Sequence, residues 1–480
     1  MGSREVTDWQ GKRVTVAGLG VSGVPAAKVL HGLGAIVTVV NDGDDERARA
    51  QAAELEALGV TVRLGDGATL PDGTELIVTA PGWQPDKPLF TAAREAGVPV
   101  WGDVELAWRL RGPDAAPWLC VTGTNGKTTT VQMLASILKA AGLRTAAVGN
   151  IGVSLLDAVL GDEEYDVLAV ELSSYQLHWA PSLRAHSAAV LNLAPDHLDW
   201  HGSMEAYARD KGRIYEGNRV ACVYNVADKA TEDLVREADV EEGCRAIGFT
   251  LGTPAPSQLG VVEGILVDRA FVENRQKNAQ ELAEVADIDP PAPHNIANAL
   301  AAAALARAFG VEPRAVRDGL RAFRPDPHRI EHVADVDGVR YVDDSKATNT
   351  HAAEASLGAY DPVVWIAGGL AKGATFDELV AKAAKRLRGA VLIGADRALI
   401  REALARHAPD VPVVDLDRTD TGAMAAAVRE AARLARPGDT VLMAPACASM
   451  DMFTNYHARG EAFAAAVRDL ASGRSAAQER

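Results

Sequence analysis

Cysteine is scarce in this sequence, and no two cysteines have the paired spacing of a zinc site. The four are scattered over 480 residues, at Cys120, Cys222, Cys244 and Cys447. Cysteine pairs a few residues apart are typical of structural zinc sites. A zinc module is therefore not indicated, and the cysteines are expected to be small buried residues in a reducing compartment.

Long apolar runs are also absent. Residues 1–5 lack the apolar run of a signal peptide. The most apolar helical stretch, residues 296–309, is too short for a membrane span and carries Asn298 and Arg307. There is no internal repeat and no low-complexity tract. These absences predict a cytoplasmic protein that spans no membrane.

Positive charge is in deficit, with 49 Lys and Arg against 65 Asp and Glu and a formal charge of −16. A broad nucleic-acid-binding face needs clustered Lys and Arg, so nucleic acid is not an expected partner. A small basic pocket for a nucleotide remains compatible with this charge. The chain has the composition of an ordinary globular protein, and its length predicts about two to four domains.

Strand-like and helix-like segments alternate along the chain, which predicts an α/β protein with mostly parallel sheets covered on both faces. The predicted strands cover residues 13–17, 36–40, 76–79, 98–100, 118–121, 167–170, 188–191, 221–224, 339–342, 363–367, 390–393, 413–415 and 440–443. Helices are predicted at 203–210 and 294–309. Breaks near 111–117 and 325–327 divide the chain into three domains, residues 1–113, 114–325 and 326–480. Residues 251–292 are predicted to be an irregular insertion, and 473–480 to be disordered.

Residues 123–128 read Gly-Thr-Asn-Gly-Lys-Thr and lie between a strand-like run and a helical one. A glycine-rich turn at a helix N-terminus presents backbone N–H groups to a phosphate, and the helix dipole favours the same negative charge. Lys127 can reach the terminal phosphates, and Thr128 can offer its hydroxyl to magnesium. Val121 stands where the usual pattern has its first glycine, and the alternative is an ordinary strand–helix turn. Position and context favour ATP binding.

A second glycine turn, residues 18–23, reads Gly-Leu-Gly-Val-Ser-Gly. With Asp42 near the distance expected for a ribose contact, it matches the dinucleotide fingerprint of nicotinamide-dependent oxidoreductases. The glycines could instead serve close packing only, or cradle the diphosphate of another nucleotide. Two phosphate loops in one chain favour the last interpretation, with ATP on one loop and a nucleotide-linked substrate on the other.

The middle segment supplies candidate metal ligands. Glu171 ends a predicted strand, where ligands gather in parallel sheets, although it could be a surface carboxylate. His197 lies beside Asp196 in a polar cluster after the next strand, an arrangement that is more often structural. Lys211 follows a helical stretch and by itself indicates a solvated helix face, because a cationic lysine would repel magnesium.

Polar clusters also follow strands of the third segment. Residues 343–349 read Asp-Asp-Ser-Lys-Ala-Thr-Asn, and residues 445–451 read Pro-Ala-Cys-Ala-Ser-Met-Asp. A carboxylate, a lysine and hydroxyl groups at a strand end suit an acidic substrate or a nucleotide. Arg329, in the Pro-His-Arg run at the domain junction, could clamp phosphates. Each cluster could equally be a loop or a helix cap.

Together these motifs resemble the Mur ligases, the ATP-dependent amide-forming enzymes of peptidoglycan synthesis. The matching blocks run in the family's order over almost the whole chain, at residues 123–128, 149–152, 171–174, 196–199, 294–299, 327–329 and 344–349. The resemblance implies a Rossmann-like N-terminal domain for a UDP group, a central P-loop ATPase-like domain and a Rossmann-like C-terminal domain. The last blocks, with residues 445–451 and 455–456, are most similar to the member that joins D-glutamate to UDP-N-acetylmuramoyl-L-alanine through an acyl phosphate.

The resemblance also implies ATP and Mg²⁺ as cofactors, and roles for individual residues. The implied catalytic residues are Lys127, Glu171, His197 and Lys211, the last as a carbamate. The implied ATP-binding residues are Gly123, Thr124, Asn125, Gly126, Lys127, Thr128, Thr129, Asn298 and Arg329. The implied metal ligands are Thr128 and Glu171, which share one magnesium ion, and His197 and Lys211, which serve a second metal ion. The implied substrate-binding residues are Val21, Ser22, Asn41, Asn150, Lys346, Thr348, Lys372, Ser449 and Tyr456. Carbamylation would turn a repelled cation into an anionic oxygen ligand, and it needs an amine whose pKa the site lowers.

Three alternatives stay open on the sequence. A sister ligase that adds another amino acid would share the ATP site. Leu370 stands where some relatives carry an acidic residue after the paired glycines, here residues 368–369. A nicotinamide oxidoreductase would leave the Gly-Lys-Thr loop unused. A non-enzymatic nucleotide sensor would not need the metal ligands. The protein is expected to be a monomer.

Overall fold

The computed structural model describes residues 8–418, 420 and 422–473. Of these described residues, those from 8 to 288 and from 296 to 323 form one compact unit, and those from 289 to 295 and from 324 to 473 form a second. The first unit holds two sheets and the second holds one. Apart from Gly473, the segment predicted to be disordered lies outside the described residues.

The first sheet has five parallel strands in the order β3-β2-β1-β4-β5. The strands are β1 (Arg13–Ala17), β2 (Ile36–Asn41), β3 (Thr61–Leu64), β4 (Leu76–Thr79) and β5 (Val100–Gly102), and the helices are α1 (Gly23–Gly32), α2 (Glu46–Glu56), α3 (Pro88–Glu95) and α4 (Asp103–Leu110). The strand predicted at 98–100 begins only at Val100. The reason is that the N–H of Val98 closes the end of α3 by donating to Ala93 O at 2.8 Å.

The second sheet has nine strands in the order β14-β13-β12-β11-β10-β9-β6-β8-β7. The strands are β6 (Trp118–Thr122), β7 (Ala147–Gly149), β8 (Leu168–Glu171), β9 (Ser187–Val190), β10 (Ala221–Asn225), β11 (Arg245–Phe249), β12 (Gln258–Val262), β13 (Ile265–Asp268) and β14 (Gln280–Glu284). The helices are α5 (Lys127–Ala140), α6 (Leu155–Leu160), α7 (Ser174–His178), α8 (Leu198–His201), α9 (Met204–Gly212), α10 (Lys229–Glu237), α11 (Pro293–Ala308) and α12 (Pro313–Ala322). In this order, all neighbouring strands from β12 to β7 pair parallel. Strand β13 pairs antiparallel with both β12 and β14.

The prediction of an irregular insertion at residues 251–292 is wrong. Strands β12, β13 and β14 lie there and extend the sheet at one edge. The two residues between β12 and β13, Glu263 and Gly264, have φ of +49° and +79°. Two successive positive φ values are the geometry of a tight hairpin turn. The polar and Gly-rich composition therefore comes from turns and an edge strand, and not from missing structure.

The third sheet has six strands in the order β15-β16-β20-β17-β18-β19. The strands are β15 (Glu331–Val336), β16 (Val339–Asp343), β17 (Val363–Gly368), β18 (Leu387–Ile393), β19 (Val413–Asp415) and β20 (Thr440–Met443), and the helices are α13 (Thr350–Leu357), α14 (Asp377–Ala383), α15 (Arg397–His407), α16 (Ala423–Leu434) and α17 (Tyr456–Ala471). Only the edge strand β15 pairs antiparallel among these. The structure thus confirms an α/β protein with mostly parallel sheets.

The alanine-rich helix α11 forms part of the core of the first unit. Residues 299–306 have 0% exposure and belong to the apolar cluster that covers one face of the second sheet. Small side chains on all sides allow this helix to be packed closely. Among the described residues, no helix combines the length and the apolar character needed to cross a membrane.

Candidate active site

The loop at residues 123–126 connects the end of β6 to the start of α5, as predicted. Gly126 is the residue before the helix and has φ +83°, a left-handed conformation that favours glycine. A Cβ atom at Gly126 would lie 2.4 Å from Oδ1 of Asn298 on α11. The structure therefore brings Asn298 onto the loop, next to the helix N-terminus where backbone N–H groups can receive a phosphate.

Asn192, directly after β9, anchors this loop. Its Oδ1 accepts from the N–H of Asn125 at 2.9 Å, and its Nδ2 donates to Asn125 O at 3.1 Å. Its own carbonyl accepts from the N–H of Thr124 at 3.0 Å. The Thr124 hydroxyl in turn accepts from the N–H of Ala194 at 3.0 Å. The segment that leads to His197 is therefore tied to the phosphate loop.

Lys127 is the first residue of α5, and its ammonium group lies against the loop. The Nζ atom donates to Gly123 O and Thr124 O, both at 2.9 Å. Thr128 and Thr129 follow in the first helical turn, Thr128 half-buried and Thr129 buried. A cation, hydroxyl groups and the positive end of a helix dipole at one point attract a polyphosphate.

Glu171 ends β8, the strand that pairs with β6. The side chain is buried, with 2% exposure, and its Oε1 accepts from Asn150 Nδ2 at 2.9 Å. Its Oε2 is also buried, and the described residues offer it no hydrogen-bond partner. A buried carboxylate oxygen without a donor is costly unless a cation or another group completes it. Glu171 is therefore not the surface carboxylate that the sequence left open.

Lys211 lies inside α9 and is buried, with 2% exposure, so its interpretation as a solvated helix residue is wrong. Its Nζ donates to Gly123 O at 2.9 Å and to Thr122 Oγ1 at 3.3 Å. Burial lowers the pKa of Lys211 well below its ordinary value, and the neighbouring Lys127 lowers it further, while Asp196 and Glu171 oppose the shift. Lys211 is thus an amine with a depressed pKa beside the phosphate loop.

His197 precedes α8 with φ +54°, and its side chain is about half exposed at 48%. Burial is the main cause that lowers its pKa, and Lys127 and Lys211 lower it further. Asp196, with its Oδ2 3.5 Å from His197 Nε2, acts in the opposite direction. His197 therefore lies near enough to Lys127 and Lys211 for their charges to act on its imidazole.

The structure adds residues to this site that the sequence patterns did not single out. The buried Tyr207 shares a hydrogen bond of 3.0 Å between its hydroxyl and that of Thr124, and its ring centroid lies 4.7 Å from Lys211 Nζ. Asp210 Oδ2 lies 2.9 Å from His178 Nδ1 and 3.0 Å from His201 Nδ1. These contacts fix α9, and with it Lys211, against α7 and α8. The sequence signal for Tyr207 is that it is an aromatic residue within the predicted helix 203–210.

The glycine turn at residues 18–23 is held by two side chains, Asn41 at the end of β2 and Asp103 at the start of α4. The N–H of Leu19 donates to Asn41 Oδ1 at 3.0 Å, and Ser22 Oγ donates to Asp103 Oδ2 at 3.1 Å. Val21, at the tip, is 88% exposed. The structure therefore brings together the three residues expected at the UDP group. Asp42, the expected ribose contact, forms an ion pair with Lys87 at 2.6 Å.

In the second unit, the polar segments at 343–349, 368–372 and 445–451 follow the neighbouring strands β16, β17 and β20. Lys346 Nζ lies 4.1 Å from the ring centroid of Tyr456, the first residue of α17. Thr348 is half-buried and its N–H donates to Lys346 O at 2.8 Å, and Ser449 is buried. Lys372 is exposed at φ +50°. The sheet thus places the expected D-glutamate residues at one set of strand ends.

Arg329 lies half-buried in the second unit, and its charge acts on the buried Asp344. Burial raises the pKa of Asp344 to about 6; Asp343 raises it too, while Ser356 and Arg329 oppose the shift. Ser356 Oγ donates to Asp344 Oδ2. The aspartates, the serine and Arg329 therefore form one polar cluster at the start of the 343–349 segment.

Curated relatives match this chain over nearly its whole length. The protein from Streptomyces avermitilis named UDP-N-acetylmuramoylalanine–D-glutamate ligase is 88% identical over 465 residues, which cover 97% of this chain and 100% of the relative. The protein of the same name from Streptomyces coelicolor is 88% identical and is covered to 99%. That from Thermobifida fusca is 61% identical over 464 residues, with 96% and 99% covered.

Solved structures share the fold. A pseudomurein peptide ligase type C from Methanothermus fervidus superposes with a TM-score of 0.57 at 18% identity, covering 96% of this chain and 100% of that one. The MurF ligase from Thermotoga maritima in complex with ADP has a TM-score of 0.55 at 17% identity, with 97% and 96% covered.

Two family descriptions match separate parts of the chain. The Mur ligase middle domain matches residues 121–306, which contain the phosphate loop, Glu171, His197 and Lys211. The Mur ligase, glutamate ligase domain matches residues 328–447, which contain Lys346 and Thr348. With relatives at 88% identity over almost the whole chain, the chain belongs to the Mur ligase family.

Proposed function

We propose that this protein is the ATP-dependent ligase that joins D-glutamate to UDP-N-acetylmuramoyl-L-alanine in peptidoglycan precursor synthesis. Mur ligases are ATP-dependent enzymes that form amide bonds. Relatives that match almost all of the chain carry the name of the D-glutamate-adding ligase. The name of these relatives favours D-glutamate over the other amino acids that family members add. It also favours a UDP-linked substrate, and not a nicotinamide, on the turn at 18–23.

One observation carries the chemistry of the proposal. Lys127 and Lys211 both donate to Gly123 O at 2.9 Å, so a cation and a desolvated amine meet on the phosphate loop. Glu171 stands on the strand next to β6 and brings a buried carboxylate to the same place. A purely nucleotide-binding loop would not need a buried amine and a buried carboxylate beside it. This set suits transfer of a phosphoryl group.

In the proposed first step, the terminal carboxylate of the UDP-linked substrate attacks the γ-phosphorus of ATP, and ADP leaves. The N–H groups at the start of α5 and the ammonium group of Lys127 stabilise the charge on the transferred phosphoryl oxygens. Asn298, packed on Gly126, and Arg329 are proposed to contact the nucleotide. The product is an acyl phosphate, which is a far better electrophile than a carboxylate.

In the proposed second step, the amine of D-glutamate attacks the acyl carbon. A tetrahedral intermediate forms and collapses with loss of phosphate, which leaves an amide. Lys346, Thr348, Lys372, Ser449 and Tyr456 are proposed to bind the two carboxylates of D-glutamate, since a dicarboxylate calls for cations and hydroxyl donors. Val21, Ser22 and Asn41 are proposed to bind the UDP group, and Asn150 the substrate.

The residues beside the loop fit Mg²⁺, which prefers oxygen ligands. The buried Glu171 Oε2, for which the described part of the chain holds no donor, is the clearest sign. Thr128 and Glu171 would hold one magnesium ion, and His197 and a carbamate on Lys211 would hold a second metal ion. Bound Mg²⁺ would neutralise phosphate charge. The lowered pKa of Lys211 favours the neutral, nucleophilic form of its amine, which is the form that takes up CO₂ as a carbamate.

The test is release of phosphate from ATP with UDP-N-acetylmuramoyl-L-alanine, screened across amino acids that include both glutamate enantiomers. We expect release that depends on D-glutamate and not on L-glutamate. Phosphate release with another amine in place of D-glutamate would identify the protein as a sister ligase.

We also propose the domain limits 1–113, 114–325 and 326–480, a cytoplasmic location and a monomeric state.

A further inference from the structure

Arg459 is a buried cation for which the proposed reaction has no role. It lies in the first turn of α17 and is only 1% exposed, which makes it one of the largest fully buried side chains. Arginine is rarely buried unless its donors are paired. Its burial in the second unit therefore calls for a specific function.

The guanidinium group joins two of the segments that follow the strands of the third sheet. Its Nε donates to Ser345 Oγ at 3.1 Å and its Nη2 to Ser345 O at 2.9 Å. Its Nη1 donates to Cys447 O at 3.0 Å. One rigid planar group thus bridges the segment at 343–349 and the segment at 445–451, which β16 and β20 carry.

The two bridged residues stand directly beside proposed D-glutamate ligands. Ser345 precedes Lys346, and Cys447 lies two residues before Ser449. The Ser345 hydroxyl also donates to Tyr456 O at 2.7 Å, so the start of α17 joins the same connection. Movement of either segment would therefore change the spacing between Lys346, Ser449 and Tyr456.

A backbone hydrogen bond also joins these two segments, and the 368–372 segment is bonded to the second of them. The N–H of Ala446 donates to Ala347 O at 2.9 Å, and Leu370 and Ala448 exchange two backbone hydrogen bonds at 2.9 Å. These bonds join backbone to backbone beyond the bridged residues. Arg459 adds three hydrogen bonds from a third element, and the negative charges of Asp451, Asp343 and Asp344 favour its charged form. Burial lowers the pKa of Arg459 to about 10, so the group stays charged at neutral pH.

We propose that Arg459 is a positioning residue that holds the 343–349 and 445–451 segments at the spacing that D-glutamate requires. The inference rests on the proposed function, because it assigns the two segments to D-glutamate. It predicts an effect confined to the amino-acid substrate. ATP and the UDP-linked substrate are assigned to residues of the other unit, apart from Arg329.

The experiment compares Arg459→Met and Arg459→Lys with wild type, with Arg468→Met as the control. Arg468 lies exposed on the same helix, so its replacement tests loss of a helix arginine without loss of the bridge. For Arg459→Met we expect KM for D-glutamate to rise at least about tenfold and kcat/KM for D-glutamate to fall by up to about 100-fold. KM for ATP should stay within about twofold. Arg459→Lys should lie between, because one ammonium group keeps the charge but cannot span both segments.

The outcomes separate the inference from the proposed function. If wild type shows no D-glutamate-dependent phosphate release, the proposed function itself fails. If wild type is active and all Arg459 variants keep its KM for D-glutamate, the positioning role is refuted. Equal loss toward all three substrates in Arg459→Met, with the same loss in Arg459→Lys and a lowered Tm in both, would also overturn it. Should Arg459→Met not fold, the KM comparison of Arg459→Lys with Arg468→Met decides.

Discussion

Replacement of Gly126 by alanine tests whether the close packing of α11 on the phosphate loop matters for ATP. Gly126 has φ +83°, and a Cβ atom there would lie 2.4 Å from Asn298 Oδ1. At the other end of α5, Gly142 has φ +80° and would place its Cβ with nothing within 4 Å. The two glycines lie at opposite ends of the same helix and share a left-handed backbone conformation. They differ in the atoms that a side chain would contact.

The magnitudes follow from these two differences. A left-handed conformation costs a non-glycine residue about 1–2 kcal/mol, and both variants carry this cost. An ordinary contact begins at 3.4 Å, so in Gly126→Ala the side chain of Asn298 or the loop must shift by about 1 Å. A misplacement of that size in a binding site can cost about 100-fold, or about 2.7 kcal/mol. Gly126→Ala should therefore bind ATP about 10- to 100-fold more weakly, and Gly142→Ala should bind it as wild type does.

The assay is titration with a fluorescent ATP analogue, beside urea unfolding of each variant. Unfolding reports the backbone cost that both variants share, and the titration isolates the clash that only Gly126→Ala has. Equal ATP affinities of the two variants, with equal losses of stability, would refute the reasoning. The close packing of Asn298 on Gly126 would then not affect ATP binding.

Three further outcomes are expected. Lys127→Ala should abolish phosphate release while leaving the fold intact, whereas replacement of Lys139, an exposed lysine on the same helix, by alanine should leave the protein active. Near-normal turnover of folded Lys127→Ala would rule out the ATP assignment. Activity of Lys211→Ala should be partly restored by short carboxylic acids, and failure with every such acid would count against the carbamate. Burial lowers the pKa of His294 from 6.5 to about 4, so the unfolded chain binds a proton that the native chain does not. The free energy of unfolding should fall as the pH is lowered from 6.5 to 4, and His294→Gln should make this fall smaller by up to about 3 kcal/mol. Urea unfolding across that pH range measures it, and an equal fall in His294→Gln and wild type would contradict the role of burial.

Features encoded in neighbouring residues were predictable from the sequence. The phosphate loop is one, because strand, glycine turn, lysine and helix follow one another within the chain. The parallel sheets are another, because apolar strands alternate with helices. The error at residues 251–292 has a physical reason. Edge strands are half exposed and carry polar residues, and a hairpin turn needs glycine, so their composition is close to that of a loop.

Contacts between distant residues were not predictable from the pattern. The sequence around Lys211 indicates a solvated lysine. Only the structure shows that Lys211 is buried and that it donates to Gly123 O, 88 residues away in the sequence. Asn192 holds Asn125 across 67 residues, and Arg459 meets Ser345 across 114. A hydrogen bond depends on the distance between two groups in space. Local sequence patterns do not specify that distance for residues far apart in the chain.

By itself, the sequence determined the fold class, the phosphate loop and the family resemblance, because each depends on short segments of characteristic chemistry. The tertiary structure decided which groups share an environment. It placed the amine of Lys211 in a buried site beside Lys127 and left a carboxylate oxygen of Glu171 without a donor among the described residues. Desolvation and close approach of charges arise only when distant segments pack together, and they convert an ordinary lysine and glutamate into candidates for chemistry.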